Sequence, residues 1–214
     1  MKSVDLMIFD LDGTLVTSGP DIAASVNYSL QIMGLPVIED RLILEFIGDG
    51  VKKLIERSLG PALHDRFEEA LTIFSQHYQE HMLDTTTLYP GVLEALQHFY
   101  KKNKVILTNK RHHFAVGLSD ALQLTPVFDE IIGADSTSYI KPDARLADVI
   151  MRRFQAHPDR TVVIGDGVND ILLAKNAGLL SCAFLNGLTG RETLLNLKPD
   201  DSCEHLFEIT KLFC

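Results

Sequence analysis

Near the start of the chain, Leu6-Met7-Ile8-Phe9 runs directly into Asp10-Leu11-Asp12-Gly13-Thr14-Leu15. Four consecutive apolar residues without polar alternation are too few for a buried helix and read as a strand covered on both faces. The switch to two carboxylates around one leucine, then a glycine able to turn sharply, puts polar groups at the carboxyl end of that strand. Similar short runs recur at wide spacing: Val105-Ile106-Leu107, Ile131-Ile132, Thr161-Val162-Val163-Ile164 and Ser181-Cys182-Ala183-Phe184-Leu185. Between the later runs lie stretches of helical period, such as Leu146, Val149, Ile150 and Phe154. Strands alternating with helices predict an α/β protein with a Rossmann-like parallel sheet.

One interval breaks the alternation. From Leu15 to about Leu88 the sequence reads as consecutive amphipathic helices near Asp21–Met33, Leu42–Phe46, Val51–Leu59 and Ala62–Leu83. The last carries Leu63, Phe67, Ala70, Leu71, Phe74, Tyr78 and Met82 at spacings of three and four. Tyr89-Pro90-Gly91 marks the exit. The expected organisation is a core from residues 1–15 and 87–214, with a small α-helical cap, residues 16–86, inserted after the first strand.

The composition narrows the function classes. Lys and Arg total 20 against 29 Asp and Glu, a formal charge of −9, which disfavours a nucleic-acid partner because backbone phosphates are held mainly by Lys and Arg. No apolar run approaches the roughly 18 residues of a membrane span. Cys182, Cys203 and Cys214 form no CxxC pair, so neither a disulfide framework nor a structural zinc site is suggested. A cytoplasmic protein with no membrane association is expected.

The chemistry sits at the strand ends. The first run ends in Asp10-Leu11-Asp12-Gly13-Thr14, the second in Thr108-Asn109-Lys110, and the fourth in Gly165-Asp166-Gly167-Val168-Asn169-Asp170. In an open parallel sheet these ends line one crevice, so Asp10, Asp12, Thr108, Asp166 and Asp170 converge there, with Lys141 in reach from the loop after the third run. Crowded carboxylates repel: at about 4 Å and an effective dielectric of about 20, each pair costs about 4 kcal/mol. A hard cation offsets that cost, and Mg²⁺ suits oxygen-only ligands that leave room for a substrate phosphate. Lys141 and the Thr108 hydroxyl suit phosphate oxygens.

In this order and at these intervals, Asp10-Leu11-Asp12-Gly13-Thr14-Leu15, Thr108-Asn109, Lys141-Pro142 and Gly165-Asp166-Gly167-Val168-Asn169-Asp170 resemble the motifs of the haloacid dehalogenase superfamily of phosphohydrolases. The helical insertion resembles that family's small cap. The resemblance implies hydrolysis of a small phosphorylated metabolite with Mg²⁺. Asp10 is the implied nucleophile, giving an aspartyl-phosphate, and Asp12 the implied acid and base. Thr108, Asn109 and Lys141 are implied to hold the phosphoryl group. Asp10 and Asp166 would bind the metal with the backbone carbonyl of Asp12, and Asp170 would support them.

Thr108-Asn109-Lys110, Tyr89-Pro90-Gly91-Val92 and the loop Ile47-Gly48-Asp49-Gly50 resemble the phosphoglycolate phosphatase branch. In that loop Gly48, Asp49 and Gly50, with Lys52 beyond, are candidates for substrate selection. Relatives also include pyrophosphatases, nucleotidases, sugar-phosphate phosphatases and β-phosphoglucomutase-like mutases. A monomer or homodimer is expected. Two departures stand out: Ala144 replaces a usual proline, and Gly167 replaces a small hydroxyl residue.

Two other classes compete. A receiver module also gathers Asp, Thr and Lys around Mg²⁺, but is shorter and needs no helical insertion. His77-Tyr78-Gln79-Glu80-His81 matches the His-x-x-Glu-His pattern of inverted zinc peptidases, although Phe74, Tyr78 and Met82 claim the same helix for a buried stripe.

Overall fold

The computed structural model describes residues 1–214. Strand β1 (Leu6–Phe9) lies inside a six-stranded sheet, between β2 (Asn103–Leu107) and β4 (Thr161–Gly165). The remaining strands are β3 (Glu130–Ile132), β5 (Leu180–Phe184) and β6 (Asp201–Cys203), in the order β3-β2-β1-β4-β5-β6. Every neighbouring pair is parallel. The chain steps outward from β1 to β3 and then returns to β4 on the other side of β1. This reversal opens a crevice outside the carboxyl ends of β1 and β4.

Alternation along β1 assigns its side chains to two faces. Leu6 and Ile8 join a buried cluster with Val105, Leu107, Leu146 and Ile150, whereas Met7 and Phe9 pack with Ile106, Phe114 and Phe128. Each fully buried side chain of this size contributes about 1.5–3 kcal/mol. This accounts for the unbroken apolar run in the sequence. The faces are covered by α5 (Val92–His98), α6 (His112–Ala121), α7 (Ala144–Phe154), α8 (Val168–Ala177), α9 (Arg191–Asn196) and α10 (Ile209–Leu212). Strand β6 was not expected. It is three residues long, its first two are polar, and it pairs along one edge only, so no apolar run marks it.

Between β1 and α5 the chain forms α1 (Gly19–Ile32), α2 (Asp40–Leu44), α3 (Val51–Leu59) and α4 (Phe67–His81). The single helix expected over 62–83 is shorter. Pro61–Arg66 forms a separate 3₁₀ turn, and Leu63 at φ −119° interrupts the ladder before α4 begins. Helix α4 buries Ala70, Phe74 and Tyr78, one turn apart, and packs along α1. Ile22, Val26, Leu54, Phe74 and Tyr78 belong to the same apolar cluster as Phe9 and Phe114. The helical segment therefore rests on the sheet through continuous packing.

The two connections to this segment run side by side. Val16 bridges Leu88, and Thr17 exchanges backbone and hydroxyl hydrogen bonds with Thr87. One turn into α1, buried Asp21 accepts from the N–H and hydroxyl of both Thr85 and Thr86, at 2.6–3.1 Å. Burial pushes the Asp21 carboxyl up, but these donors outweigh it and hold it below its ordinary value.

Asp21→Asn is expected to cost about 2 kcal/mol at neutral pH, since hydrogen bonds to a charged acceptor contribute about 1.5–3 kcal/mol. The folded pKa is depressed, so this stabilisation is present above the unfolded value of about 3.9 and is lost as pH falls through the folded one. Urea midpoints for wild type and variant therefore converge below about pH 4.

Candidate active site

Asp10 follows β1, and its N–H donates to Ile164 O at 3.0 Å, so the central strands fix where its carboxylate lies. Oδ1 accepts from Leu11 N at 2.7 Å and from Lys141 Nζ at 2.8 Å. Oδ2 accepts no hydrogen bond from the chain, and Asp10 lines a cavity between sheet and helices. Asp166 and Asp170 follow β4, and one ligand oxygen from each of Asp10, Asp166 and Asp170 lies within 4.8 Å of the others. All three residues are at least 92% buried, with relative exposures of 8%, 2% and 1%.

Each carboxylate is held from more than one side. Thr14 Oγ1 donates to Asp166 Oδ1 at 2.6 Å and accepts from Asp166 N at 2.9 Å. Leu188 N donates to Asp166 Oδ2 at 2.7 Å, and Gly167 N donates to Asp170 Oδ2 at 2.9 Å. Lys141 Nζ lies between Asp10 and Asp170, 2.6 Å from the latter. Gly13 is required at its position: φ is +83°, and a Cβ there would come within 2.8 Å of Asp166 Cγ.

The electrostatics point to a missing positive charge. Burial first, and then the charge of Asp170, push the Asp10 carboxyl up to about 7 against the pull of Lys141. Burial and Asp10 do the same to Asp166, also to about 7, and burial raises Asp170. One lysine does not balance three buried carboxylates. An oxygen-only donor set with this deficit fits a hard dication such as Mg²⁺.

Asp12 stands apart from that triad. Its Oδ1 accepts from Ser18 Oγ at 2.5 Å, and Lys110 Nζ reaches Oδ1 and Oδ2 at 2.9 and 3.0 Å. Its side chain is therefore not gathered with the metal-binding candidates, which leaves only its backbone carbonyl for that role. Lys110 Nζ also donates to Tyr78 OH at 2.8 Å. Burial works against the Lys110 charge, but Asp12 and Tyr78 outweigh it and hold the ammonium above its ordinary range. Burial pushes the Tyr78 hydroxyl up to about 12. This link joins α4 to the strand ends and was absent from the sequence expectations, because no spacing rule connects residues 78, 110 and 12.

The remaining candidates divide. Thr108 is buried, lines the cavity and accepts Lys110 N at 3.2 Å. Asn109 also lines it, but its side chain is committed: Nδ2 donates to Gly48 O at 2.9 Å and Lys141 O at 3.1 Å, and Oδ1 accepts Lys141 N at 3.0 Å. The Asn109 side chain thus ties three loops together, which leaves its backbone N–H for the expected phosphate contact. Gly48 and Gly50 line the cavity, and Asp49 borders an adjoining open groove with Lys141 and Asn169. Asn169 Nδ2 donates to Asp49 Oδ1 at 2.6 Å, while Arg57 pairs with Asp49 Oδ2. Lys52 does not fit its expected place. Its side chain is 75% exposed and faces Glu56 one turn on, as a residue on the solvated side of α3 does.

His77 and His81 give no support to zinc chemistry. Their rings stack at 4.2 Å and 23°, and the Nδ1 atoms are taken by Ser25 and Asp84. They make up no group of three ligating side chains like the one that Asp10, Asp166 and Asp170 form.

A parallel sheet with a buried carboxylate triad at its switch point, bridged by a lysine and covered by inserted helices, defines a class of α/β hydrolase. Haloacid dehalogenase-like hydrolases match residues 7–184, and the chain belongs to that family. It is 32% identical over 218 residues to a phosphoglycolate phosphatase of Chromobacterium violaceum, covering 99% of this chain and 98% of that one. Identity to a phosphoglycolate phosphatase of Mesorhizobium japonicum is 34%, over 96% and 92% of the two chains. The crystal structure of a predicted phosphoglycolate phosphatase from Haemophilus somnus superposes with TM-score 0.94 at 29% identity, covering 99% of each chain. The chain is therefore an enzyme, which sets aside the receiver alternative. No helix is long and apolar enough to cross a membrane.

Proposed function

We propose that this hydrolase is a Mg²⁺-dependent phosphatase that cleaves a small phosphate monoester through an aspartyl-phosphate at Asp10, with 2-phosphoglycolate as substrate. The observation that carries this reading is the state of Asp10: buried at the switch point, Oδ1 held by Lys141, and Oδ2 free beside the cavity. Oδ2 attacks phosphorus as the ester oxygen leaves, and water then releases phosphate from Asp10, which divides one slow hydrolysis into two displacements. Asp12, oriented by Ser18 and Lys110, protonates the leaving oxygen and then takes a proton from the attacking water. Lys141 and the Thr108 hydroxyl hold the transferring phosphoryl oxygens, where positioning and charge neutralisation supply most of the catalysis.

Asp10, Asp166 and the Asp12 backbone carbonyl would hold Mg²⁺, with Asp170 in support. Bound there, the ion supplies Lewis-acid polarisation and offsets the repulsion between the carboxylates and an anionic substrate. Residues 16–86 act as a cap over the core of residues 1–15 and 87–214, excluding water from the intermediate. The names of the relatives from Chromobacterium violaceum and Mesorhizobium japonicum support the substrate.

Phosphate release from a panel of small monoesters and pyrophosphate, with Mg²⁺ or with a chelator, tests this directly. The expected result is metal-dependent release with at least about tenfold preference, or 1.4 kcal/mol, for 2-phosphoglycolate. A smaller preference removes the substrate and leaves the reaction class; release that is indifferent to chelation contradicts the class.

Gly187 offers a test of how tightly Asp166 must be placed. A Cβ there would collide with the Asp166 side chain, whereas at Gly190 it would meet only Thr193 Oγ1 at 3.9 Å. Gly187→Ala is expected to lower kcat about 100-fold, the cost of misplacement by about 1 Å. Gly190→Ala stays within about twofold, as an exposed substitution does.

A further inference from the structure

Two lysines of the site, one lining the cavity and one beside it, are spent. Lys141 is bound to Asp10 and Asp170. The three donors of Lys110 go to Asp12 Oδ1, Asp12 Oδ2 and Tyr78 OH. Arg111 lines the same cavity, half-buried, and its guanidinium has no ion pair and no hydrogen bond within the chain. Most arginines here are paired, including Arg57 with Asp49, Arg66 with Glu69 and Arg160 with Asp5. The others without an acidic partner, Arg41 and Arg152, are exposed. Arg111 is thus the one cation at the cavity whose donors remain uncommitted.

The cavity's composition says what such an arginine meets. The cavity is lined by Asp10, Asp12 and Thr108 together with an apolar wall that includes Ile22, Leu54, Phe74 and Phe114. An anion placed against that wall without a partner would be strongly disfavoured. The planar fork of a guanidinium matches a carboxylate through two parallel hydrogen bonds. Arg111 directly follows Thr108-Asn109-Lys110 and precedes α6, so its backbone is fixed relative to the phosphate contacts. The cavity is about 60 Å³, against the roughly 10–15 Å³ that holds one water on the same measure, which favours a short substrate tail.

We propose that Arg111 is the specificity-determining residue of this site, receiving a carboxylate a few bonds from the phosphate and so selecting phosphate esters of short hydroxy acids. This rests on the phosphatase reading above and names the group that distinguishes the substrate. Nothing in the sequence spacing of Arg111 separates it from an ordinary helix-start residue.

The test compares 2-phosphoglycolate with 2-hydroxyethyl phosphate, in which an uncharged alcohol replaces the carboxylate, for wild type, Arg111→Met and Arg111→Lys. Wild type is expected to favour the carboxylate ester in kcat/KM. Arg111→Met lowers the ratio of the two kcat/KM values by at least about tenfold, mainly through KM for 2-phosphoglycolate, and Arg111→Lys restores part of it. Equal loss on both esters overturns the proposal, because it marks Arg111 as a support for the loop. Absence of preference in wild type also overturns it while the phosphatase reading stands. If wild type releases phosphate from neither ester in Mg²⁺, the phosphatase reading itself fails, and the assignment of Arg111 with it.

Discussion

Asp10→Asn is expected to lower Mg²⁺-dependent phosphate release by about 10⁴-fold or more, because an amide oxygen does not replace the carboxylate as nucleophile. The fold should survive the change. Lys141 keeps its contact with Asp170 at 2.6 Å, and the backbone of residue 10 remains tied to Ile164. Stability of the metal-free protein at neutral pH should even rise. Three carboxylates lie within 4.8 Å of one another, and burial and repulsion already push Asp10 up to about 7. Removing one of those charges relieves that repulsion. Steady-state phosphate assays, with urea unfolding in chelator, check both parts.

Lys141→Met should also lower kcat/KM, by about 10²- to 10³-fold, the effect of removing one positioned donor from a developing charge. Its effect on stability has the opposite sign. The methionine keeps the length of the stem but leaves Asp10 and Asp170 facing each other without the ammonium between them. Removing one partner from a buried charge pair costs about 3–5 kcal/mol. Metal-free Lys141→Met should therefore unfold at lower urea than wild type, and Asp10→Asn at higher urea. Two variants that both lose activity and move stability in opposite directions would separate a functional carboxylate cluster from a structural one.

Much of the fold was legible because strands buried on both faces leave continuous apolar runs: Leu6–Phe9 and Thr161–Ile164 read as strands and are strands. The helical segment was legible through the three- and four-residue spacing of Phe67, Ala70, Phe74 and Tyr78. What periodicity does not carry is a three-residue polar edge strand such as β6, or a single off-helix residue such as Leu63 that shortens a long amphipathic pattern.

At the site, the convergence of Asp10, Asp166 and Asp170 was legible, since a carboxylate soon after a run of buried residues is conspicuous. The residues that connect elements were not. Tyr78 meets Lys110 across 32 positions and Lys110 meets Asp12 across 98, and pairwise contacts at such separations have no local signature. Asn109 was noticed for its place beside Thr108, yet its amide is spent on Gly48 and Lys141. Lys52 drew attention as a cation near the Gly48–Gly50 turn, but the helix turns it toward solvent.

The proposed covalent intermediate on Asp10 is tested by the stereochemical course at phosphorus, which does not depend on the lifetime of that intermediate. A thiophosphate ester made chiral at phosphorus with oxygen isotopes would be hydrolysed in isotopically labelled water and the product configuration determined. Two in-line displacements, first by Asp10 and then by water, predict net retention; inversion would mean that water attacks the ester directly and would contradict the account.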